Sequence, residues 1–414
     1  MNILFIHQNF PGQFKHLSVA LAAQGHQVKA LTLRVKERQT WNKVDIVPYG
    51  IIKRSEQQTH PWVLDFDSKV TRGESCYRAA REMRDAGYKP DIIIAHHGWG
   101  ESMFLRDVWP EARMGIYCEF FHLTDYPHIN FDPEFPATDP EADALRIRLK
   151  NINNHLHFEA AQMGLSPTTF QADTFPQPFR DKISVIHDGI DTRVLVRNDD
   201  VTFPLEDGRV LTREDEVITF VNRNLEPYRG YHIFMRALPR LLRERPNAEI
   251  LVVGGDGVSY GAAPPKGKTW KQIYIDEVRD QIPDEDWARV HFLGRIPYTQ
   301  FVPLLQVARV HLYLTYPFVL SWSLFEAMSC QAAIVASSTA PVVDAMEHDR
   351  TGRLVDFFDA DALVDETITL LEDAALRDRL GAAARKYIVE NYDLSTACLP
   401  RQMDWVDRLA KTPL

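Results

Sequence analysis

Short apolar runs alternating with amphipathic segments recur along the whole chain. Residues 1–7 form a mostly apolar run that ends at the turn-like Pro11-Gly12, and residues 14–24 follow with Leu17, Ala20 and Leu21 at helical spacing. Gly25 and His26 close that helix and residues 28–33 alternate into a second strand, so the opening predicts a β-α-β unit on a parallel sheet. Residues 91–95, 114–121 and 183–186 repeat the buried-strand pattern.

The periodicity lapses over residues 192–216, where Asn198, Asp199, Asp200, Pro204 and Gly208 have the composition of a linker. A second series begins beyond it, with strands expected at 217–221, 248–253, 289–293, 310–314 and 333–336 and helices at 231–244, 270–281, 298–307 and 323–330. This order predicts an α/β protein of two doubly wound, Rossmann-like domains facing across a cleft, with ligands at the strand C-terminal ends. The expected division is a first domain over 1–195, a linker region over 196–216, a second domain over 217–385 and C-terminal helices over 386–414. Those last residues read as helices at 382–391 and 399–409 with a break near Tyr392-Asp393.

A length of 414 residues is enough for two sizeable cores, and 45% hydrophobic with 25% charged residues excludes a disordered, collagenous or coiled-coil chain. The net charge of -10 disfavours nucleic acid as a partner but leaves room for a local basic cleft that binds a small anion. Four cysteines without a Cys-x-x-Cys pair argue against a zinc site or a disulfide scaffold. No stretch reaches the ~18 apolar residues of a membrane span, and the first residues lack the pattern of a signal peptide. The expectation is a soluble cytoplasmic protein.

The densest chemistry lies at 312–336. A strand ends near Thr315, an irregular loop carries Pro317 and Ser321, and a helix starts near Ser323 with Glu326 in its first turn. Unpaired N–H groups at a helix start suit a phosphate, whereas a carboxylate there suits a sugar hydroxyl or merely complements the helix dipole. Arg223 and Arg229 flank a loop containing Pro227 and are either anion ligands or solvated arginines. Gly254 and Gly255 follow a strand, as a close backbone approach to a ligand or a tight turn. The cluster His96-His97-Gly98-Trp99-Gly100-Glu101 has no third ligand at helical spacing, which favours packing or an acceptor-side role over metal binding. The aromatic, acidic loop 120–135, with Asp125, Tyr126, Asp132 and Glu134, reads as an acceptor groove or an ordered surface loop.

The block 323–330 with Glu326-Ala327-Met328, the loop Phe10-Pro11-Gly12-Gln13 and the turn Ile186-His187-Asp188-Gly189-Ile190-Asp191 together resemble family 4 retaining glycosyltransferases of the GT-B architecture. The resemblance implies C-terminal helices that cross back to the first domain. It implies a nucleotide-diphosphate sugar as donor substrate, with Arg223 and Arg229 neutralising the diphosphate and Ser321, Trp322, Ser323 and Glu326 at the nucleotide. Gly12 would face the donor phosphates and the acceptor, Gly254 and Gly255 would border the nucleotide, and Arg295 would frame the base. Glu119 takes the register of a histidine that contacts the donor sugar in relatives, and His122 is the nearest histidine. The family pattern has a first glutamate seven residues earlier than Glu326, and here Phe318 stands there.

The same resemblance implies a metal-independent, hexosyltransferase-like enzyme that moves a sugar to a saccharide, lipid-linked or protein-linked hydroxyl with retention, by front-face displacement. It would need no cofactor. Its setting would be surface polysaccharide or glycoconjugate synthesis, in the cytoplasm or peripherally at the inner face of the membrane. Phe318 keeps open a non-catalytic sugar-nucleotide-binding partner of a glycan assembly complex, and the scaffold also admits a phosphorylase or an epimerase. Base, sugar, acceptor and oligomeric state are not legible.

Overall fold

The computed structural model describes residues 1–52, 59–124 and 130–414. They sort into two compact units, Met1–Gly189 with Ser395–Leu414 and Ile190–Leu394.

The first unit is built on eight strands: β1 (Asn2–Ile6), β2 (Gln27–Thr32), β3 (Gln39–Trp41), β4 (Val44–Pro48), β5 (Ile92–Ala95), β6 (Arg113–Tyr117), β7 (Met163–Ser166) and β8 (Ile183–Val185). Their order is β3-β4-β2-β1-β5-β6-β7-β8, parallel except where β3 meets β4. Both faces of the central strands are covered, which is why their sequences are unbroken apolar runs. Leu4, Ile6, Ile93 and Ile116 pack on one face with Trp109 and Phe175; Ile3, Phe5, Ile92 and Ile94 pack on the other with Phe14 and Leu17.

That second face is completed by the last helix, Leu399–Lys411, through Trp405, Val406 and Leu409. Trp405 Nε1 donates to the Gly164 carbonyl at 3.1 Å, and a Cβ on Gly115 would lie 2.4 Å from the Trp405 ring. The helix Ala374–Tyr392 belongs to the other unit, and the return begins at Ser395.

The second unit opens with a small antiparallel pair, β9 (Phe203–Pro204) and β10 (Val210–Leu211). Residues 192–216 are therefore not a loose linker: Leu195, Val201, Phe203, Leu205 and Leu211 are buried in this unit's core. A six-stranded parallel sheet comes next, from β11 (Glu216–Asn224), β12 (Ala248–Gly255), β13 (Val290–Gly294), β14 (Val310–Tyr313), β15 (Ala333–Ser337) and β16 (Arg353–Val355). Its order is β13-β12-β11-β14-β15-β16, so the winding reverses between β11 and β14.

Several elements depart from the sequence expectation. Strand β6 stops at Tyr117 and not at 121, while β11 and β12 run on to Asn224 and Gly255. The 22-residue helix Leu64–Asp85 was not legible because the residues it buries fully, Lys69, Gly73, Ser75, Cys76 and Ala80, include no large apolar side chain.

Candidate active site

In an open parallel sheet the loops after the two strands at the reversal point splay apart and leave a crevice. In the second unit these are the loops after β11 and β14. A cavity of about 410 Å³ lies there, lined by Asn222, Arg223, Arg295, Ile296, Phe301, Ser321 and Ser323 among others. Arg223 is exposed and makes no hydrogen bond or ion pair among the described residues. A permanently charged guanidinium in that position is available to an anion.

The helix beside the cavity is Trp322–Ser329, one residue longer at its start than the spacing suggested. Ser321 caps it, its Oγ accepting from Ser323 N at 3.4 Å and lying 3.0 Å from Ser323 Oγ, while Ser321 N donates to Tyr313 Oη at 2.8 Å. Trp322 is 43% exposed. Glu326 is partly buried and accepts from Tyr298 Oη at 3.2 Å. Burial and then the Glu326 carboxylate hold the Tyr298 phenol above its ordinary pKa, so it stays a donor. Tyr298 had no signal in the sequence, because it joins Glu326 only through the fold.

Arg229 is placed differently from Arg223. It is buried, and its Nη1 donates to Thr315 Oγ1 at 2.7 Å and to the Val319 carbonyl at 3.0 Å. It braces the loop after β14 and is not among the residues that line the cavity. The short turn Pro227–Arg229 brings it there, followed by Gly230 at φ 69°, where a Cβ would lie 2.2 Å from Leu314 Cβ.

Gly254 and Gly255 lie in β12 and form no turn. A Cβ on Gly254 would sit 2.7 Å from Leu225, and one on Gly255 2.6 Å from Arg295 Nε, so both glycines admit neighbouring side chains. Arg295 Nη2 donates to Asn224 Oδ1 at 2.9 Å, and Asn224 Nδ2 donates to Ser259 Oγ at 2.7 Å. Glu226, between the two arginines in sequence, is fully buried and accepts from the backbone N–H groups of Ser259, Tyr260 and Gly261 at 3.1 to 3.3 Å.

In the first unit the winding reverses between β1 and β5. Gly12, at φ 47°, sits so close to His7 that a Cβ would lie 2.2 Å from His7 Nε2, which meets Gln13 Oε1 at 2.8 Å. His7 also faces His96, ring centroids 5.2 Å apart, and His96 stacks on Trp99 at 4.2 Å. Glu119 Oε2 approaches His96 Nε2 to 3.6 Å. His96 comes from the cluster 96–101 singled out in the sequence, whereas His7 is a residue of this group that no motif marked. His97 turns away, its Nε2 meeting Asn154 Oδ1 at 2.7 Å and its Nδ1 the Tyr117 carbonyl at 3.1 Å. The backbone of His122 is gripped by Asn151, which accepts from its N and donates to its carbonyl. Of the loop 120–135, Asp125 and Tyr126 lie outside the described residues; Asp132 is buried and caps Glu134 N at 2.9 Å.

Burial holds several histidines neutral: His7, with His96 adding to the effect, His187 and His311 are lowered to about 3 and His157 to about 4 from 6.5. A folded pKa below the unfolded one gives stability that is complete above pH 6.5 and is lost as pH falls towards the folded values. The melting temperature should therefore drop steadily between pH 6.5 and 4 in scanning calorimetry. A flat profile across that window would contradict the burial of these rings.

A Rossmann-ordered parallel sheet with a cationic cavity and an open helix start at its reversal point defines a nucleotide-binding domain, and a second Rossmann-like unit accompanies it here. Residues 24–195 match the family model of the glycosyl transferase family 4 group, and residues 205–387 match that of glycosyl transferases group 1. The chain is a GT-B glycosyltransferase related to these two families. It is 32% identical over 197 residues to phosphatidyl-myo-inositol mannosyltransferase of Mycolicibacterium smegmatis, covering 46% of this chain and 45% of that protein, so it spans under half the length of this relative. Sucrose-phosphate synthase of Thermosynechococcus elongatus shares its fold at TM-score 0.73 and 16% identity, over 99% of this chain and 100% of that one. HepE of Anabaena, solved with UDP-glucose, does so at TM-score 0.67 and 15% identity, again over 99% and 100%. Among the described residues no helix is long and apolar enough to cross a membrane.

Proposed function

We propose that the second unit binds a nucleoside diphosphate sugar, with the diphosphate between Arg223 and the start of helix Trp322–Ser329, the ribose near Glu326 and the base near Arg295. The observation that carries this reading is Arg223 itself, a guanidinium without a partner among the described residues, on the wall of a cavity of about 410 Å³ that also takes in Ser321 and Ser323 at the helix start. The first unit would bind the acceptor hydroxyl around Gly12, His7 and His96, and the donor-sugar contact that the resemblance gives to the end of β6 would fall to Glu119, beside His96, before His122. Transfer would proceed with retention by front-face displacement, the leaving diphosphate taking the acceptor proton, so that catalysis is positioning and charge stabilisation. The mannosyl transfer named for the inositol-lipid relative supports a glycoconjugate setting, with peripheral membrane contact if the acceptor is lipid-linked.

The test is a transfer assay over nucleotide sugars and hydroxyl acceptors, with the product anomer assigned by NMR. Arg223→Ala should slow transfer by roughly a hundredfold, the equivalent of ~3 kcal/mol for one charge-assisted contact, at unchanged melting temperature. Wild-type turnover in that variant would remove the diphosphate seat. Tight nucleotide binding without transfer or hydrolysis across the panel would favour the non-catalytic partner.

A further inference from the structure

Three aromatic rings from three separate segments converge next to Arg229. Tyr228 comes from the turn after β11, Tyr260 from the loop after β12 and Phe318 from the loop after β14. Phe318 lies 5.3 Å from Tyr228, edge to face, and 5.2 Å from Tyr260, and the Arg229 guanidinium stands 5.0 Å from the Tyr260 ring. The rings are not sealed in the core: Tyr260 is 37% exposed, and Tyr228 and Phe318 are partly exposed.

The position of Tyr260 is fixed from below. The buried Glu226 carboxylate gathers the N–H groups of Ser259, Tyr260 and Gly261, so its charge is met by oriented donors and the loop has one geometry. Asn224 ties the same loop, through Ser259, to Arg295 on the cavity wall. Phe318 precedes Ser321 by three residues on the loop that leads into the cavity. In the donor site proposed above, a group attached beyond the second phosphate and following that loop would meet these rings.

Aromatic faces attract C–H edges, whereas a carboxylate accepts from hydroxyls. A site built to bond a hydroxyl rejects the analogue lacking it by about 10⁴ to 10⁵, and a wall of rings makes no such demand. We propose that Tyr228, Tyr260 and Phe318, held by Glu226 as a positioning residue, wall the subsite of the transferred sugar and select a deoxyhexose. This rests on the donor site proposed above.

The experiment uses the full chain and donor pairs that share a nucleotide, GDP-mannose with GDP-6-deoxymannose and UDP-glucose with UDP-6-deoxyglucose, alongside free GDP and UDP. For whichever diphosphate binds in calorimetry, the deoxy donor should bind at least as tightly as its parent. Phe318→Leu should cost the sugar donor about tenfold in affinity while free diphosphate binding is unchanged, and Phe318→Glu should reverse the preference. Glu226→Gln should raise the donor KM with kcat nearly unchanged. A parent hexose favoured by more than tenfold, or a Phe318→Leu variant with the wild-type ratio of sugar donor to diphosphate affinity, overturns the proposal. Failure of both diphosphates to bind would instead overturn the donor site, and this inference with it.

Discussion

Arg229→Ala should reduce transfer by about a thousandfold or more, a larger loss than Arg223→Ala, although Arg229 does not line the cavity. The variant removes a buried charge and leaves Thr315 Oγ1 and the Val319 carbonyl without their donor. It also withdraws the guanidinium against which Tyr260 rests. The loop that carries Ser321 to the helix start then loses its brace, so orientation and charge are lost together; ~4 kcal/mol in the barrier corresponds to about a thousandfold. Arg229→Lys should rescue only in part, because both bonds leave one nitrogen and an ammonium can donate them, while the guanidinium over the Tyr260 ring is lost. The check is kcat and KM at saturating donor with circular dichroism on the same samples. Activity within tenfold of wild type in a folded Arg229→Ala protein would show that the brace is dispensable.

Trp405→Ala should destabilise the first unit by about 3 to 5 kcal/mol, the usual cost of emptying a fully buried aromatic site. The cavity would open against Gly115, whose missing side chain is filled by the indole, and the Gly164 carbonyl would lose its donor. Hydrogen exchange followed by mass spectrometry should show protection lost along β6 and β7 while β11 to β15 keep theirs. Equal loss in both units, or none, would contradict the assignment of residues 395–414 to the first unit's core.

The legible parts of this protein are those where local chemistry and the fold agree. Helices Tyr231–Glu244 and Tyr298–Val307 fall where the apolar spacing puts them. The buried parallel strands announce themselves because both their faces are covered. The helix start after β14 is readable from Ser321 and Ser323, since a cap acts within a few residues of its own chain. The edge strand β3 and helix Leu64–Asp85 are not readable, since exposed or small-residue faces carry no period.

By itself the sequence determined the α/β class, the two successive sheets and the residue types able to meet a diphosphate. These depend on periodicity and on charges that no context removes. The tertiary structure alone decided that Arg223 faces a cavity while Arg229, six residues on, is a buried brace, and that Glu226 binds backbone and no cation. It also decided that Tyr298 reaches Glu326, and that His7, His96 and Glu119 gather at the first reversal point. Each of these joins residues from different strand ends. Such meetings are set by the order of strands in a sheet, a long-range property that no window of sequence contains.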